Sequence, residues 1–314
     1  MSRLTRRSLP IAAVTIVAVV ALFLAFVDEA PSAPSTPSAY SLQEEPEYVG
    51  SDLCQECHTE QADKFASNLH AGIDWQTIDW PHEIEEGVDI GCEACHGPGM
   101  EHVILAGAEE PGFREAIIGF ADTSAPLGAA QCLTCHANKP THQNFFGSSH
   151  DDFDVQCADC HDGHASAAVE HMLDKPDPQL CYDCHGDQRG MFALPERHPV
   201  NQGLMTCSDC HSPHGTTNRL QLVAPGNESC TDCHTEKRGP FVFPHPAADT
   251  DGCTACHQPH GSVNAHLLNF RETALNCLQC HAVQPSFHQQ PGFSECTACH
   301  LTIHGSNLDP YFLR

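Results

Sequence analysis

The pattern C-x-x-C-H occurs ten times in this chain, and the ten copies use all 20 cysteines of its 314 residues. Numbered in chain order, the motifs are Cys54, Cys57, His58; Cys92, Cys95, His96; Cys132, Cys135, His136; Cys157, Cys160, His161; Cys181, Cys184, His185; Cys207, Cys210, His211; Cys230, Cys233, His234; Cys253, Cys256, His257; Cys277, Cys280, His281; and Cys296, Cys299, His300. Between Cys54 and His300 there is about one motif per 25 residues, which leaves few stretches long enough for an extended regular element. Zinc sites and redox dithiols also use C-x-x-C. Neither zinc ribbons nor a disulfide framework explains a histidine directly after the second cysteine in ten cases of ten. The spacing is the attachment signature of c-type haem. Two thioethers fasten the porphyrin, and the adjacent histidine lies under the ring and binds iron as the proximal ligand. The expectation is ten covalently attached iron protoporphyrins.

Fourteen histidines remain after the motif histidines are assigned. A low-spin electron carrier needs a second axial ligand on each iron, and position sorts the supply. His164, His214, His260 and His304 follow a motif histidine by three or four residues, and Gly directly follows the last three of them. Each is too close in sequence to cross to the far face of its neighbour's haem, so each is expected to serve an adjacent one. His150, His198, His245 and His288 precede the next motif by seven to nine residues. His70 follows the first motif and His102 the second. These ten are the candidate distal ligands. His82, His142, His171 and His266 are left over, with His82 and His142 as substitutes for His102 and His150. The histidine supply leaves no need for Met100, Met172, Met191 or Met205. Spacing does not say which haem each distal histidine serves.

The motifs alternate in kind. The first cysteines of motifs 3, 5, 7 and 9 are 49, 49 and 47 residues apart. Each unit holds a plain C-x-x-C-H, then an upstream ligand candidate, then a second motif that closes on His-Gly. Period and content recur together, as in a true repeat. Residues 132–314 are read as repeated two-haem units carrying haems 3–10. Residues 48–131 are read as a looser N-terminal cap carrying haems 1 and 2, with a helix-like stretch around Met100 to Phe120.

Composition agrees. The chain is 40% hydrophobic and 7% aromatic, too little for a conventional core of this length, so porphyrin is expected to supply apolar volume. The expected fold is mainly α and irregular, with short helices, Pro/Gly turns and almost no sheet. Contacts confined to neighbouring repeats imply an elongated body with its haems in a line. With 14 Lys and Arg against 41 Asp and Glu, the formal charge is −27, which excludes a non-specific nucleic-acid binder. The acidity serves solubility or attracts cationic partners or metal ions. Arg3, Arg6 and Arg7 precede an uncharged apolar run from Leu9 to Val27, and a Pro/Ser/Ala-rich stretch follows. Residues 1–30 are read as a signal peptide or a retained anchor, and 31–47 as a linker. The pair Arg6-Arg7 is read as chance rather than a twin-arginine signal.

If every iron carries two imidazoles, none has an open position, which favours electron transfer over catalysis. Ten haems in a row exceed the roughly 30 Å of a bilayer's hydrocarbon core. Two other readings stay open: a multihaem oxidoreductase of nitrite or hydroxylamine type, which needs a five-coordinate haem, and a self-assembling cytochrome filament.

The element Cys207-Ser208-Asp209-Cys210-His211-Ser212-Pro213-His214-Gly215, its echo at Cys253, and the closing Ile303-His304-Gly305-Ser306-Asn307 before a Phe-Leu-Arg terminus carry a resemblance. Over about residues 48–314 the chain resembles the MtrA/DmsE-type decahaem cytochromes. The resemblance implies a periplasmic cytochrome inserted partly into an outer-membrane β-barrel porin. It implies electron relay between periplasmic or inner-membrane donors and an extracellular cytochrome, terminal reductase or mineral, outward or inward. No nucleic acid is implied.

Overall fold

The computed structural model describes residues 47–78, 80, 87–165, 169–282, 285, 288 and 295–314. These residues belong to the body Glu47–Arg314. The expected export segment and His82 lie outside the described residues.

Secondary structure is built in single turns. Among the described residues there are eleven α-helices, none longer than the twelve residues of Ala125–His136. The strands are a two-residue antiparallel pair, Phe243–Pro244 with Gly305–Ser306. No helix among the described residues is long and apolar enough to cross a membrane. The mainly α and irregular architecture expected from the motif density is what the chain adopts.

Each motif closes a helical turn. The histidine N–H donates to the carbonyl of the motif's first cysteine, for example His58 to Cys54 at 2.9 Å, His185 to Cys181 at 2.8 Å and His300 to Cys296 at 3.0 Å. Residues three and four apart share a helix face, so the turn brings both thiols and the imidazole to one side. The two kinds of motif fold differently. Motifs 1, 3, 5, 7 and 9 begin inside α-helices Ser51–Gln55, Ala125–His136, Gln179–Tyr182, Glu228–Thr231 and Thr273–Leu278. Motifs 4, 6, 8 and 10 begin in 3-10 turns at Cys157–Asp159, Cys207–Asp209, Cys253–Ala255 and Cys296–Ala298. Motif 2 departs from the alternation with helix Glu93–His96.

The stretch expected to be helical around Met100 to Phe120 is helical only over Met100–Gly107. Pro111 offers no N–H to continue the ladder, and Glu109 and Gly112 adopt φ of 55° and 97°.

Motifs 4, 6 and 8 each open a repeated hairpin. Asp162 N–H donates to the Met172 carbonyl (2.8 Å), Ser212 to Gln221 (2.8 Å) and Gln258 to Leu267 (2.7 Å). The return limb donates to the motif's second cysteine: Asp174 to Cys160, Val223 to Cys210 and Asn269 to Cys256. Each loop tip holds two consecutive non-glycine residues at positive φ: His171-Met172, Leu220-Gln221 and His266-Leu267, all between 53° and 60°. A repeated pair in this sparsely populated region signals a conformation held for a purpose.

Neighbouring units interlock where an upstream histidine segment meets a later His-Gly segment. Glu196 and Ser262 exchange backbone bonds of 3.1 and 2.8 Å. The strand pair around Phe243 and Ser306 repeats this join one unit later. In the first unit the Asn68 amide donates to the carbonyls of Gly163 (3.0 Å) and Ala165 (2.6 Å). The glycine of His-Gly is needed at these joins. A Cβ on Gly261 would lie 2.8 Å from the Met191 carbonyl carbon, and closer still to its oxygen. One on Gly215 would lie 2.8 Å from Ser148 Cβ.

Side chains alone build little core. Among the described residues the buried apolar ones are Trp75, Ile90, Ala125, Ala129, Leu133, Phe145, Phe192 and Val200, and only Ala129, Leu133 and Phe145 cluster. Phe153, Leu204 and Leu308 are each more than three-quarters exposed. The largest polar investment in the N-terminal cap is Glu93, 2% exposed. Its carboxylate accepts from the N–H groups of Val49 (3.0 Å), Gly50 (2.9 Å) and Gly99 (2.7 Å).

Candidate functional site

Each motif histidine faces one of the ten candidate second ligands. The ring-centroid distances are 6.2 Å for His58–His102, 5.9 Å for His96–His164, 6.1 Å for His136–His70, 6.0 Å for His161–His214 and 6.3 Å for His185–His150. They are 6.0 Å for His211–His260, 6.2 Å for His234–His198, 6.2 Å for His257–His304, 6.3 Å for His281–His245 and 6.2 Å for His300–His288. The matching is one to one and uses every candidate once. Metal–imidazole bonds run about 2 Å, so two rings on opposite sides of one metal place their centroids roughly 6 Å apart. The spacing fits an iron between each pair.

The pairing has a rule that sequence spacing concealed. The histidines of the His-Gly segments look two motifs back: His214 of motif 6 faces His161 of motif 4, and His260 of motif 8 faces His211 of motif 6. They were expected to serve a haem adjacent to that of their own motif, and the interlock, which sets each His-Gly segment against the preceding unit, turns them to the motif two back. Three of the upstream histidines face the next odd motif instead, His150 facing His185, His198 facing His234 and His245 facing His281, while His288 faces His300 of the motif directly after it.

Hydrogen bonds orient the rings. The hairpin tips place a backbone carbonyl on Nδ1 of the motif histidine: His171 for His161 (2.8 Å), Leu220 for His211 (2.9 Å) and His266 for His257 (2.8 Å). The Tyr311 carbonyl does the same for His300 at 2.6 Å. Across the unit joins, the carbonyl of Pro213 meets Nδ1 of His150 (2.8 Å) and that of Pro259 meets Nδ1 of His198 (2.6 Å). An Nδ1 that donates leaves a neutral ring with Nε2 as its lone-pair nitrogen. Burial pushes the His70, His96, His245, His260 and His304 imidazoles below the usual histidine range. Burial, with His142 and His161 nearby, holds His214 at about 4. A neutral imidazole is the form that ligates a metal.

The four remaining histidines divide. His171 and His266 contribute their carbonyls, not their rings. His142 stacks on His214 at 4.2 Å and lies 5.9 Å from His136, so it touches two of the paired sites and stands as near to His136 as His70 does at 6.1 Å. His82 is outside the described residues. The tip carbonyls carry no sequence signal, because backbone serves and Leu220 fills the position as well as histidine.

The cysteines order the sites. Consecutive motifs approach alternately through their first and second thiols. First thiols lie close enough to perturb one another between Cys54 and Cys92, Cys132 and Cys157, Cys181 and Cys207, Cys230 and Cys253, and Cys277 and Cys296. Second thiols approach at the other junctions: besides burial, Cys135 helps push the Cys95 thiol up, Cys184 that of Cys160, Cys233 that of Cys210 and Cys280 that of Cys256. Every motif therefore neighbours the one before it and the one after it. The group Asp177, Cys181 and Cys207, whose ligand atoms lie within 4.8 Å of one another, belongs to the junction of motifs 5 and 6 rather than to a separate metal centre.

Known proteins share these features. The family defined by a doubled CXXCH motif matches residues 150–190, 198–239 and 245–285. A multihaem cytochrome MtrA from Shewanella baltica is 34% identical over 281 residues, which span 82% of this chain and 79% of that protein. A cytochrome c-type protein NrfB from Haemophilus influenzae is 26% identical over 153 residues, 44% of this chain and 66% of that protein. An undecahaem cytochrome from the S-layer of Carboxydothermus ferrireducens covers 77% of this chain and 35% of its own at 20% identity. Its TM-score of 0.13 gives it no bearing on the architecture.

Proposed function

Since the chain belongs to the MtrA-type family of multihaem cytochromes c, we propose that it binds ten haems and conducts electrons along them. In this reading the 20 cysteines form the thioethers. Each pair of facing histidines supplies both axial ligands of one iron. The proximal set is His58, His96, His136, His161, His185, His211, His234, His257, His281 and His300. The distal set, in the same order, is His102, His164, His70, His214, His150, His260, His198, His304, His245 and His288. Bound haem iron supplies one-electron chemistry. The chain's own residues bring neutral Nε2 atoms to both faces, fix them through Nδ1, and hold consecutive sites thiol to thiol.

The observation that carries this is the complete matching of motif histidines to second histidines at 5.9–6.3 Å. A multihaem enzyme needs one iron with an open face, and no motif histidine lacks a ring opposite it. Electron relay is thus favoured over catalysis. Intact mass of the mature protein should report ten thioether-linked porphyrins, with an entirely low-spin resonance spectrum. Fewer porphyrins, or a high-spin iron in the unaltered protein, would refute the assignment.

The setting belongs to the same proposal. In keeping with the resemblance to MtrA/DmsE-type relays, the cytochrome reaches the periplasm by its N-terminal segment and enters an outer-membrane β-barrel porin. There it passes charge between periplasmic or inner-membrane donors and an extracellular cytochrome or terminal reductase. Liposomes carrying the cytochrome with a co-purified porin should let an external reductant reduce an enclosed dye. No transfer in that assay would refute the conduit while leaving the haem assignment standing.

A further inference from the structure

Three of the five junctions joined through first thiols share one task and perform it with different chemistry. At motifs 1 and 2, Ser51 Oγ accepts the N–H of Cys92 at 3.1 Å. At motifs 5 and 6, Asp177 accepts the N–H of Cys207 at 3.0 Å through Oδ1. Its Oδ2 takes the N–H and hydroxyl of Ser208 at 3.2 and 3.1 Å. At motifs 7 and 8, the Asn227 side-chain oxygen accepts from Cys253 N–H at 3.0 Å and Cys253 Sγ at 3.2 Å, and its NH₂ donates to the Ala248 carbonyl. At these three junctions the acceptor comes from three or four residues before the first motif of the pair. It is a hydroxyl, a carboxylate or an amide.

Nearby carboxylates act to push the first thiols up at the other junctions: Asp89 and Glu93 at motifs 1 and 2, Asp159 at motifs 3 and 4, and Glu295 at motifs 9 and 10. The shifts of Cys230 and Cys253 have no carboxylate among their causes. Asp183 pairs with Lys175 at 2.6 Å, and Asp232 pairs with Arg238. Motif 6 also holds Asp209, which accepts the N–H of Thr206 at 2.7 Å, where motif 8 has Ala255. At the matched position before the first motif of each pair, Asp177 stands against Asn227.

We propose that this exchange sets a step in reduction potential, with the haems of motifs 7 and 8 above those of motifs 5 and 6. The inference rests on the ten-haem reading. A carboxylate beside the attachment thioethers stabilises the ferric state, which carries one more positive charge, and so lowers the potential; an amide does not. Asp177 is half-buried, which limits screening by salt. An electron passing from motifs 5 and 6 to motifs 7 and 8 therefore runs downhill, and one passing the other way climbs.

The test is a reciprocal exchange in the full-length holoprotein, read by spectropotentiometric titration. Asp177→Asn and Asp177→Ser both keep an acceptor for Cys207 and remove the charge. Each should raise the ferrous-to-ferric ratio of one or two haems at fixed potential about three- to tenfold, where tenfold is about 59 mV for a one-electron couple. Asn227→Asp should lower the ratio at one or two haems by a similar factor. Low-spin spectra should persist throughout. Unmoved potentials in both Asp177 variants, or shifts of opposite sign, would overturn the inference, and the two suffice if Asn227→Asp fails to fold. Intact mass separates the causes. Ten porphyrins with unmoved potentials sink this inference alone, whereas fewer than ten in the unaltered protein sink the reading beneath it.

Discussion

Gly261→Ala tests whether the interlock of units, and not the motif alone, delivers the second ligand. Gly261 directly follows His260, which faces His211 at 6.0 Å. The added methyl would lie 2.8 Å from the Met191 carbonyl carbon and nearer to the oxygen. Carbon–carbon contacts are favourable at about 3.5–4.0 Å, so the two backbones must part by roughly 1 Å. Both are held: Glu196 and Ser262 bond on either side of the join, and the Pro259 carbonyl bonds His198. Overpacking of this kind costs about 1–3 kcal/mol. A metal–imidazole bond of about 2 Å does not survive a 1 Å retreat of its ring. The expected result is a lowered melting temperature and a high-spin signal from about one iron in ten, at the haem of motif 6. Electron paramagnetic resonance with parallel thermal denaturation reads both. Gly186→Ala is the control. It too follows a motif-region histidine, but its Cβ would meet nothing within 4 Å, and it should change neither property. A Gly261→Ala protein that stays wholly low-spin with unchanged melting would show that the join does not position His260.

Two further outcomes follow from the ring geometry. His214→Ala should leave one iron high-spin and interrupt conduction, whereas His171→Ala should do neither, because only the His171 carbonyl is used; resonance spectra of the two variants decide. The second concerns acid. His214 is held near 4 by burial, and His96, His260 and His304 are also depressed, while unfolded histidines take protons near 6.5. The unfolded chain binds more protons between those values. Stability is therefore complete above about pH 6.5 and is lost as pH falls toward 4. Denaturant midpoints measured across that range should fall monotonically, and a flat profile would contradict the neutral, buried rings.

What could be read in advance depended on whether the chemistry sits in side chains or in backbone. The ten candidate second histidines could be picked from the sequence because ligation would demand a particular side chain and the supply nearly equals the demand, and the structure sets each about 6 Å from a motif histidine. The short helices were legible too, since a motif every two dozen residues leaves no room for longer ones. The direction of the pairing was hidden. Nothing in Ser-Pro-His-Gly says that His214 turns back past motif 5 to face His161; that follows from Gly215 admitting the backbone of Asn144 and Ser148, a contact between segments more than 60 residues apart. The overlong helix after Met100 was a local misreading, where Glu110-Pro111-Gly112 outweighed an apolar run. The hairpin tips are the deeper case. His171, Leu220 and His266 occupy one structural position, and two histidines among three invite a metal-binding interpretation. Leu220 removes it: the position is selected for a left-handed backbone that turns a carbonyl onto Nδ1, and the side chain is free to vary. A histidine that recurs at one structural position is thus best read first for what its backbone bonds.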